Sequence, residues 1–104
     1  MAKVVQIGLW GSMAYVYILT NRHKNVIYVG STDDLKKRVY FHKRGLLPGF
    51  TKKYSVTSLV YFEALPTTES ALNREQQIKK YRREKKDRLI QDLNPSWIDL
   101  FDSL

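Results

Sequence analysis

Arg38 and His42 stand four residues apart in a segment with a helical pattern, so their side chains are expected on one face of a helix. A guanidinium can bind a phosphate through two parallel hydrogen bonds and can stabilise the charge that develops during phosphoryl transfer. An imidazole on the same face would enter the same cleft. The alternative for each residue is an ordinary surface position on a basic helix, and the spacing alone leaves both interpretations open.

Glu75 is predicted to lie on or beside the apolar face of a long helix, because Leu72 and Ile78 stand three residues before and after it and because Ala71 and Ile78 stand seven residues apart. A carboxylate at such a position is costly unless it is paired or binds a metal ion. Glu75 could therefore bind a cation. It could equally form an ordinary ion pair with Lys79 one helical turn further on, a contact worth about 0.2–0.5 kcal/mol.

Three tyrosines, Tyr15, Tyr17 and Tyr28, lie in two strand-like segments that face each other across a short turn. The usual role of such residues is cross-strand packing. A phenol has a pKa near 10 and is about 0.1% ionised at pH 7, so a tyrosine that acts as a base needs a nearby cation or a metal-bound water. These tyrosines become candidates for chemistry only in combination with Arg38 and Glu75.

The elements that would position these residues begin with a β-hairpin. Residues 14–20 and 26–30 are rich in β-branched and aromatic side chains and are separated by a polar turn. Thr32 and Asp33 offer N-cap oxygens for a first helix, which is expected to stop at Gly45. The hairpin and this helix would carry the tyrosines, the arginine and the histidine.

The second half of the chain supplies the remaining elements. They are, in chain order, a basic loop over residues 46–55, a third strand over residues 59–64, a long helix from a cap at Thr67 or Thr68 to about Lys86, a short helix over residues 86–93, and a tail over residues 97–104 that could dock on the core. This order predicts an α/β fold in which a small three-stranded, mainly antiparallel sheet is flanked by helices.

The charge of the chain favours a polyanionic partner. Lys and Arg number 18 against 10 Asp and Glu, a formal net charge of +8, and each cation placed on a phosphate releases a condensed counterion. The alternative is that the basic residues form two solvated helix faces. The predicted phosphate-binding residues are Lys36, Lys37, Lys43, Lys52, Lys53, Lys79, Lys80, Arg82 and Arg83, with the block continuing to Arg88.

Length and composition exclude several classes of protein. The 104 residues suit one domain, and the absence of cysteine excludes disulfides, thiolate metal sites and a cysteine nucleophile. No apolar run reaches the length of about 18 residues that a membrane helix needs, so a cytoplasmic protein that does not enter the membrane is expected. Residues 1–12 are interpreted as an extension of the kind that a cloning vector adds, with a signal peptide as the competing interpretation, and residues 13–104 as the functional domain.

Several short motifs follow one another in a fixed order. They are Tyr15-Val16-Tyr17, Tyr28-Val29-Gly30, Thr32, Leu35, Arg38-Val39, His42, the segment from Pro48 to Tyr54, Glu75 and Asn94-Pro95. This pattern resembles the GIY-YIG nuclease superfamily, and in particular its small stand-alone bacterial group. The resemblance covers about residues 14–98, nearly the whole domain.

The resemblance implies metal-dependent hydrolysis of phosphodiester bonds in DNA. It implies that Glu75 holds one divalent cation, Mg²⁺ or Mn²⁺, and that Tyr17 or Tyr28 orients or deprotonates the attacking water. Such a site suits a small domain because the cation supplies most of the charge stabilisation.

The resemblance also assigns the other catalytic residues. Arg38 would neutralise the scissile phosphate, His42 would help to position water or phosphate, and Asn94 would help to complete the site. Gly30 would allow a close approach at the end of its strand. Two departures are visible: the first motif lacks its glycine, and Ser31 occupies a position that is often lysine elsewhere in the superfamily.

Three hypotheses of different classes follow. The leading one is a small nuclease acting on DNA, and the first alternative is a nucleic-acid-binding module that keeps the fold without turnover. The third is a protein-interaction adaptor that uses the tail around Trp97, Leu100 and Phe101. The chain has no room for the separate DNA-binding domain of larger relatives, so either its basic residues suffice for binding or a partner protein supplies targeting.

Overall fold

In the computed structural model, residues 13–104 are described, and they form one three-stranded sheet with helices on both faces. The strands are β1 (Ala14–Thr20), β2 (Ile27–Thr32) and β3 (Ser58–Leu65), and the helices are α1 (Leu35–Lys43), α2 (Phe50–Lys53), α3 (Thr68–Lys79) and α4 (Arg83–Leu93). The strand order is β2-β1-β3, and both pairings are antiparallel. The predicted fold class is therefore confirmed.

Strand β1 is the centre of the sheet, and its alternate residues enter two separate parts of the core. Val16 and Ile18 pack in a cluster with Ile78 of α3. Tyr17 points to the opposite face, where it packs in a second cluster with Val39 of α1. The alternation therefore places Tyr17 on the same side of the sheet as the helix that carries the candidate arginine and histidine.

Helix α1 is defined by its two ends. The Asp34 carboxylate accepts a hydrogen bond from the backbone N–H of Lys37 at 3.2 Å, so the N-cap is Asp34 and the prediction of Thr32 or Asp33 is wrong. The Thr32 hydroxyl instead accepts from the backbone N–H of Asp34 at 3.0 Å. Gly45 follows the helix with φ of +66°, a conformation that other residues rarely adopt, and the predicted stop is confirmed.

The predicted loop between α1 and β3 contains the short helix α2, so that part of the prediction is wrong. Gly49 precedes α2 with φ of +108° and turns the chain into it. The backbone N–H of Lys53 closes a turn onto the Gly49 carbonyl at 2.9 Å. Thr51 is buried within this turn, and its burial, rather than any local helical pattern, is what fixes the segment.

Two helices follow β3, as expected, but the break between them lies at residues 80–82 and not near Lys86. A straight helix over residues 68–93 would be roughly 39 Å long, which equals the largest dimension of the domain, 38 Å. The break lets Tyr81 and Ile90 pack against the core on the α3 side of the sheet. Tertiary packing therefore overrides a continuous helical pattern at this point.

The cap of α3 and the docking of the tail agree with the sequence predictions. Thr67 is the N-cap of α3 and forms a reciprocal capping box with Ser70. The Asp99 carboxylate accepts a hydrogen bond from the backbone N–H of Leu59 at 3.1 Å and so ties the tail to β3. Leu100 then packs on the α1 side of the sheet.

The predicted extension over residues 1–12 lies outside the described residues. Within residues 13–104, no helix combines the length and the apolar character that crossing a membrane requires.

Candidate active site

The β-hairpin brings Tyr17 and Tyr28 together above Gly30. Tyr17 pairs with Gly30 in the register of β1 and β2, and the centroids of the two tyrosine rings are 6.3 Å apart. A Cβ atom on Gly30 would lie 2.6 Å from the Tyr17 hydroxyl oxygen and 3.0 Å from Cε2 of Tyr28. Gly30 lies within β2 rather than at the predicted end of its strand, and it provides the space in which the two phenols meet.

His42 of α1 joins the two tyrosines. Its Nε2 atom lies 3.1 Å from the Tyr17 hydroxyl, and its ring centroid is 5.7 Å from that of Tyr28. Its Nδ1 atom lies 2.9 Å from the hydroxyl of Thr51 in α2. Tyr17 is fully buried and His42 is only 5% exposed. Three hydroxyl-bearing residues thus surround one imidazole in a largely dry environment.

Arg38 controls the electrostatics of this group from the neighbouring turn of α1. Burial raises the pKa of the Tyr17 phenol, and the nearby Tyr28 and Glu75 raise this pKa further. Arg38 lowers the same pKa by its charge and by a hydrogen bond, but it does not offset the effect of burial. Burial, and then the charge of Arg38, lower the pKa of His42 to about 4. At pH 7 the imidazole is therefore neutral and the Tyr17 phenol keeps its proton.

Arg38 also opens this group to the surface. It lines a cleft of about 510 Å³ together with Lys37 and Phe41. It lines a second cleft of about 260 Å³ together with Ser31 and Ala71. A phosphate that enters either cleft would meet the guanidinium. His42 is buried and lines neither of these clefts, so the prediction that Arg38 and His42 serve one cleft, like their catalytic roles, stays a prediction.

Glu75 lies on the buried face of α3 between Ala71 and Ile78, and it is only 8% exposed. The expected burial of this carboxylate is confirmed. Leu72 is 49% exposed, so its predicted place on the apolar face is wrong. The buried residues of α3 are Ala71, Glu75 and Ile78, which follow one another at steps of four and three residues. Leu72 is one residue after Ala71, so its side chain points about 100° away from this buried face.

Two side chains hold the Glu75 carboxylate. The Ser31 hydroxyl donates to Oε1 at 2.5 Å, and the Lys79 ammonium lies 2.6 Å from Oε2. Lys79 follows Glu75 by one helical turn, so that contact follows from the local geometry. The contact with Ser31 depends instead on how α3 packs against β2. The ion pair that the sequence offered as an alternative for Glu75 is present.

The surroundings of Glu75 fit a magnesium-type site. Residues 13–104 hold no group of three or more His, Cys, Asp or Glu side chains that could bind a metal together. Mg²⁺ is commonly held by one or two carboxylates, with water and substrate phosphate oxygens as its other ligands. Glu75 offers such a carboxylate, with Ser31 fixing one oxygen and the Lys79 ammonium already lying where a cation is favoured.

Asn94 occupies a different environment from the other predicted catalytic residues. Its side-chain N–H groups donate to the Val60 carbonyl at 3.1 Å and to the Ile98 carbonyl at 2.8 Å. Its side-chain oxygen accepts from the Ile98 backbone N–H at 3.1 Å. The amide therefore links the end of α4, strand β3 and the tail. The structure gives Asn94 a folding role, and its catalytic role stays a prediction.

The predicted phosphate-binding cations lie on the surface, and several also have intramolecular partners. All of them except the half-buried Lys43 are exposed. The ion pairs are Lys43 with Asp99, Lys79 with Glu75, and Arg83 with Asp87. Lys37 lines a cleft together with Arg38, whereas Lys52 and Lys53 line a separate cleft with Pro48 and Gly49.

Sequence reasoning missed two residues of this site, Ser31 and Thr51. Ser31 is visible in the sequence only as a departure from a family pattern. It pairs with Val16 across the hairpin, and its contact with Glu75 joins residues 44 positions apart. Thr51 belonged to a matching segment without any assigned role. The contact between Thr51 and His42 depends on how α2 packs, so no local signal could have revealed it.

Comparisons with known proteins identify the family of this domain. A model of the GIY-YIG catalytic domain matches residues 13–88. The chain is 38% identical over 78 residues to the UPF0213 protein of Haloquadratum walsbyi, covering 75% of this chain and 86% of that protein. It is also 38% identical over 78 residues to the UPF0213 protein of Clostridium perfringens, covering 75% of this chain and 83% of that protein.

The solution NMR structure of the UPF0213 protein from Bacillus halodurans has the same fold. The two structures superimpose with a TM-score of 0.53 and 29% sequence identity, covering 82% of this chain and 89% of the other. The hairpin tyrosines, the arginine of α1 and the glutamate of α3 all fall within the matched domain. This chain therefore belongs to the GIY-YIG family of the nuclease superfamily.

Proposed function

We propose that this protein is an endonuclease that hydrolyses phosphodiester bonds of DNA with one bound divalent cation, Mg²⁺ or Mn²⁺. The observation that supports it most is the continuous set of interactions from Arg38 through Tyr17 to His42, beside an open cleft. The charge of Glu75, on α3, also raises the pKa of Tyr17. Membership of the nuclease superfamily supports the class of reaction.

In the proposed reaction, a water molecule attacks the phosphorus atom from the side of Tyr17. The water gives a proton to the Tyr17 oxygen while Tyr17 passes its own proton to Nε2 of His42, 3.1 Å away. The raised pKa of Tyr17 disfavours a phenolate as the starting base. His42 is neutral and has a free lone pair, but its pKa of about 4 makes it a weak base in the free protein; the negative charge of a bound phosphate would raise that pKa and favour the transfer. The bond from phosphorus to the leaving oxygen then breaks, and that oxygen takes a proton from solvent.

Arg38 and Tyr28 assist this transfer without receiving the proton. Arg38 would bind the non-bridging phosphate oxygens, because its guanidinium lines the cleft and offers paired donors. Tyr28 lies beside both Tyr17 and His42, and its hydroxyl would help to orient the attacking water.

Glu75 would hold the divalent cation, and Ser31 would keep its carboxylate oriented through the contact at Oε1. A bound cation would stabilise the charge that develops on the phosphate and polarise its attached water. The Lys79 ammonium, now on Oε2, would then become available to a neighbouring phosphate.

The exposed cations on α1 and α2 would bind the backbone of the nucleic acid. Lys52 and Lys53 flank the cleft at Pro48 and Gly49, and Lys37 lines the cleft at Arg38. Contacts of this kind are electrostatic and carry little sequence information. Affinity should therefore fall steeply with salt.

A second candidate function is a nucleic-acid-binding module without turnover. The contact that favours it is the ion pair between Lys79 and Glu75, because a carboxylate that is already neutralised does not need a metal ion. This alternative predicts binding that depends on salt but on neither Glu75 nor a divalent cation. The adaptor hypothesis is not favoured, since Leu100 and Phe101 pack against the core.

The test is a cleavage assay on labelled duplex, single-stranded, flap and junction DNAs, with Mg²⁺, Mn²⁺ or a chelator. Wild type, Glu75→Ala and the control Glu69→Ala are compared, since Glu69 is an exposed carboxylate on the same helix. The proposal predicts cleavage that requires metal, is lost in Glu75→Ala and persists in Glu69→Ala. Salt-dependent binding without cleavage by any of the three proteins would instead support the binding module.

A further inference from the structure

Thr51 of α2 contacts the candidate proton acceptor but has no role in the reaction proposed above. We infer that Thr51 is a positioning residue, whose hydroxyl holds His42 in the tautomer with its proton on Nδ1 and so leaves Nε2 free to accept the proton of Tyr17. This inference rests on the proposed function, because the tautomer matters for catalysis only if His42 receives that proton.

The contact itself is well defined. The Thr51 hydroxyl lies 2.9 Å from Nδ1 of His42, and both side chains are only 5% exposed. The opposite ring nitrogen, Nε2, lies 3.1 Å from the Tyr17 hydroxyl. The tautomer of a neutral histidine is determined by the hydrogen bonds that its two nitrogens make. Thr51 and Tyr17 are therefore the two groups that decide it.

Two arrangements of protons satisfy these distances. In the first, Nδ1–H donates to Thr51 and the Tyr17 hydroxyl donates to Nε2. In the second, Thr51 donates to Nδ1 and Nε2–H donates to the Tyr17 oxygen. Only the first arrangement leaves Nε2 able to accept a proton from Tyr17.

Arg38 favours the first arrangement. Its positive charge acts on the Tyr17 hydroxyl, and a cation beside a hydroxyl attracts the oxygen and repels the proton. The Tyr17 proton is thereby directed away from Arg38, and Nε2 of His42, 3.1 Å away, can accept it. In the second arrangement Nε2 already carries a proton, so the Tyr17 proton would lose that acceptor.

The backbone around Thr51 holds the hydroxyl in place. The Thr51 carbonyl accepts a hydrogen bond from the backbone N–H of Val56 at 2.9 Å, and Val56 is fully buried. On the other side, the Gly49 carbonyl accepts from the backbone N–H of Lys53 at 2.9 Å. The short helix α2 therefore presents Thr51 to His42 from a fixed position.

Thr51→Val and Thr51→Ser form the matched pair that tests this inference. Valine keeps the shape of threonine but lacks the hydroxyl, whereas serine keeps the hydroxyl and loses only a methyl group. Long-range ¹H–¹⁵N NMR spectra report the tautomer of each histidine directly. The chain has two histidines, and His23, exposed in the turn after β1, serves as the internal reference.

We expect the Nδ1–H tautomer of His42 in wild type and in Thr51→Ser, and a shift toward the Nε2–H tautomer in Thr51→Val. On the best DNA substrate, we expect Thr51→Val to lower kcat by roughly tenfold or more, as the loss of an oriented proton acceptor predicts. Thr51→Ser should stay within about threefold of wild type, because it keeps the hydroxyl that orients the imidazole. Unchanged amide spectra away from α2 would confirm that both variants fold.

Each outcome separates this inference from the proposed function. An Nε2–H tautomer in wild type, or the same tautomer in Thr51→Val as in wild type, would overturn the role of Thr51 while leaving the nuclease proposal intact. Unfolded Thr51→Val with a catalytically impaired Thr51→Ser would also overturn it, since the hydroxyl would then not be the active feature. Absence of cleavage by wild type, with the expected tautomers, would refute the proposed function alone.

Discussion

Replacing Gly30 with alanine should disturb the site more than the fold. The new Cβ atom would lie 2.6 Å from both Cζ and the hydroxyl oxygen of Tyr17, where ordinary van der Waals contacts begin at 3.4 Å. Tyr17 is fully buried, so it cannot turn into solvent to escape. Its ring must move by about 1 Å or the strand must shift, and overpacking of this kind costs about 1–3 kcal/mol.

The magnitude can be measured in two ways. Thermal unfolding should show a Tm lowered by about 4–24 °C, because each kcal/mol shifts Tm by about 4–8 °C in a domain of this size. The displacement should also separate the Tyr17 hydroxyl from Nε2 of His42. Since a misplacement of about 1 Å can reduce turnover about 100-fold, cleavage by Gly30→Ala should fall by about that factor at temperatures where the variant is folded.

Gly45→Ala is the matched control, because Gly45 has φ of +66° and an added Cβ there would meet only Lys52 Cε, at 3.9 Å. This variant should lose about 1 kcal/mol through backbone strain but keep its turnover. Wild-type stability and wild-type turnover of Gly30→Ala would refute the reasoning. An equal loss of turnover in Gly45→Ala would show that lost stability, rather than displacement of Tyr17, is responsible.

Three further predictions concern ion pairing, pH and salt. Arg74→Met should lower the free energy of unfolding by about 2–4 kcal/mol in chemical denaturation, because it leaves the Glu63 carboxylate, 8% exposed, without its bidentate cation. The pKa of His42 is lowered from 6.5 to about 4, so between these pH values the unfolded chain binds more protons than the folded chain. The stability that neutral His42 contributes is therefore fully present above pH 6.5 and is lost as the pH falls toward 4. The free energy of unfolding should fall by about 2–3 kcal/mol between pH 6.5 and pH 4.5 for this reason. Replacing Lys52 and Lys53 with alanine should weaken DNA binding and reduce the slope of log affinity against log salt by about 2.

Each of these predictions has its own control. Lys36→Met removes an exposed cation of α1 and should change stability by less than about 0.5 kcal/mol; an equal effect of Arg74→Met would contradict the first prediction. His42→Gln should lack the extra loss of stability in acid, and an identical pH dependence in the two proteins would show that His42 titrates normally. The slope change should be absent in Arg22→Ala, an exposed cation in the turn between β1 and β2, and a uniform loss at every exposed cation would argue against a defined binding face.

Much of the scaffold could be predicted because its signals are local. The strand segments, the Gly45 stop and the Thr67 cap depend on residues within a few positions of one another, and the structure has all three. The break after α3 could not be predicted in this way. It depends on Tyr81 and Ile90 packing against a sheet formed by distant strands.

The same distinction applies to the candidate site. The ion pair of Glu75 with Lys79 spans one helical turn and was among the sequence alternatives. The contact of Ser31 with Glu75 joins residues 44 positions apart, and that of His42 with Thr51 requires a short helix whose formation the sequence did not predict. Residue types and helical spacing thus indicated the participants, whereas the tertiary fold determined their partners.

The most direct test of the central claim is the single-turnover cleavage rate of Glu75→Gln beside Glu69→Gln, on the best DNA substrate with Mg²⁺. Glutamine keeps the shape of Glu75 and its contact with Ser31 but removes the charge that would hold a cation. If Glu75 holds the catalytic cation, the rate for Glu75→Gln should be at least about 100-fold below wild type, and Glu69→Gln should keep the wild-type rate. A wild-type rate for Glu75→Gln, or cleavage that survives a chelator, would contradict the central claim.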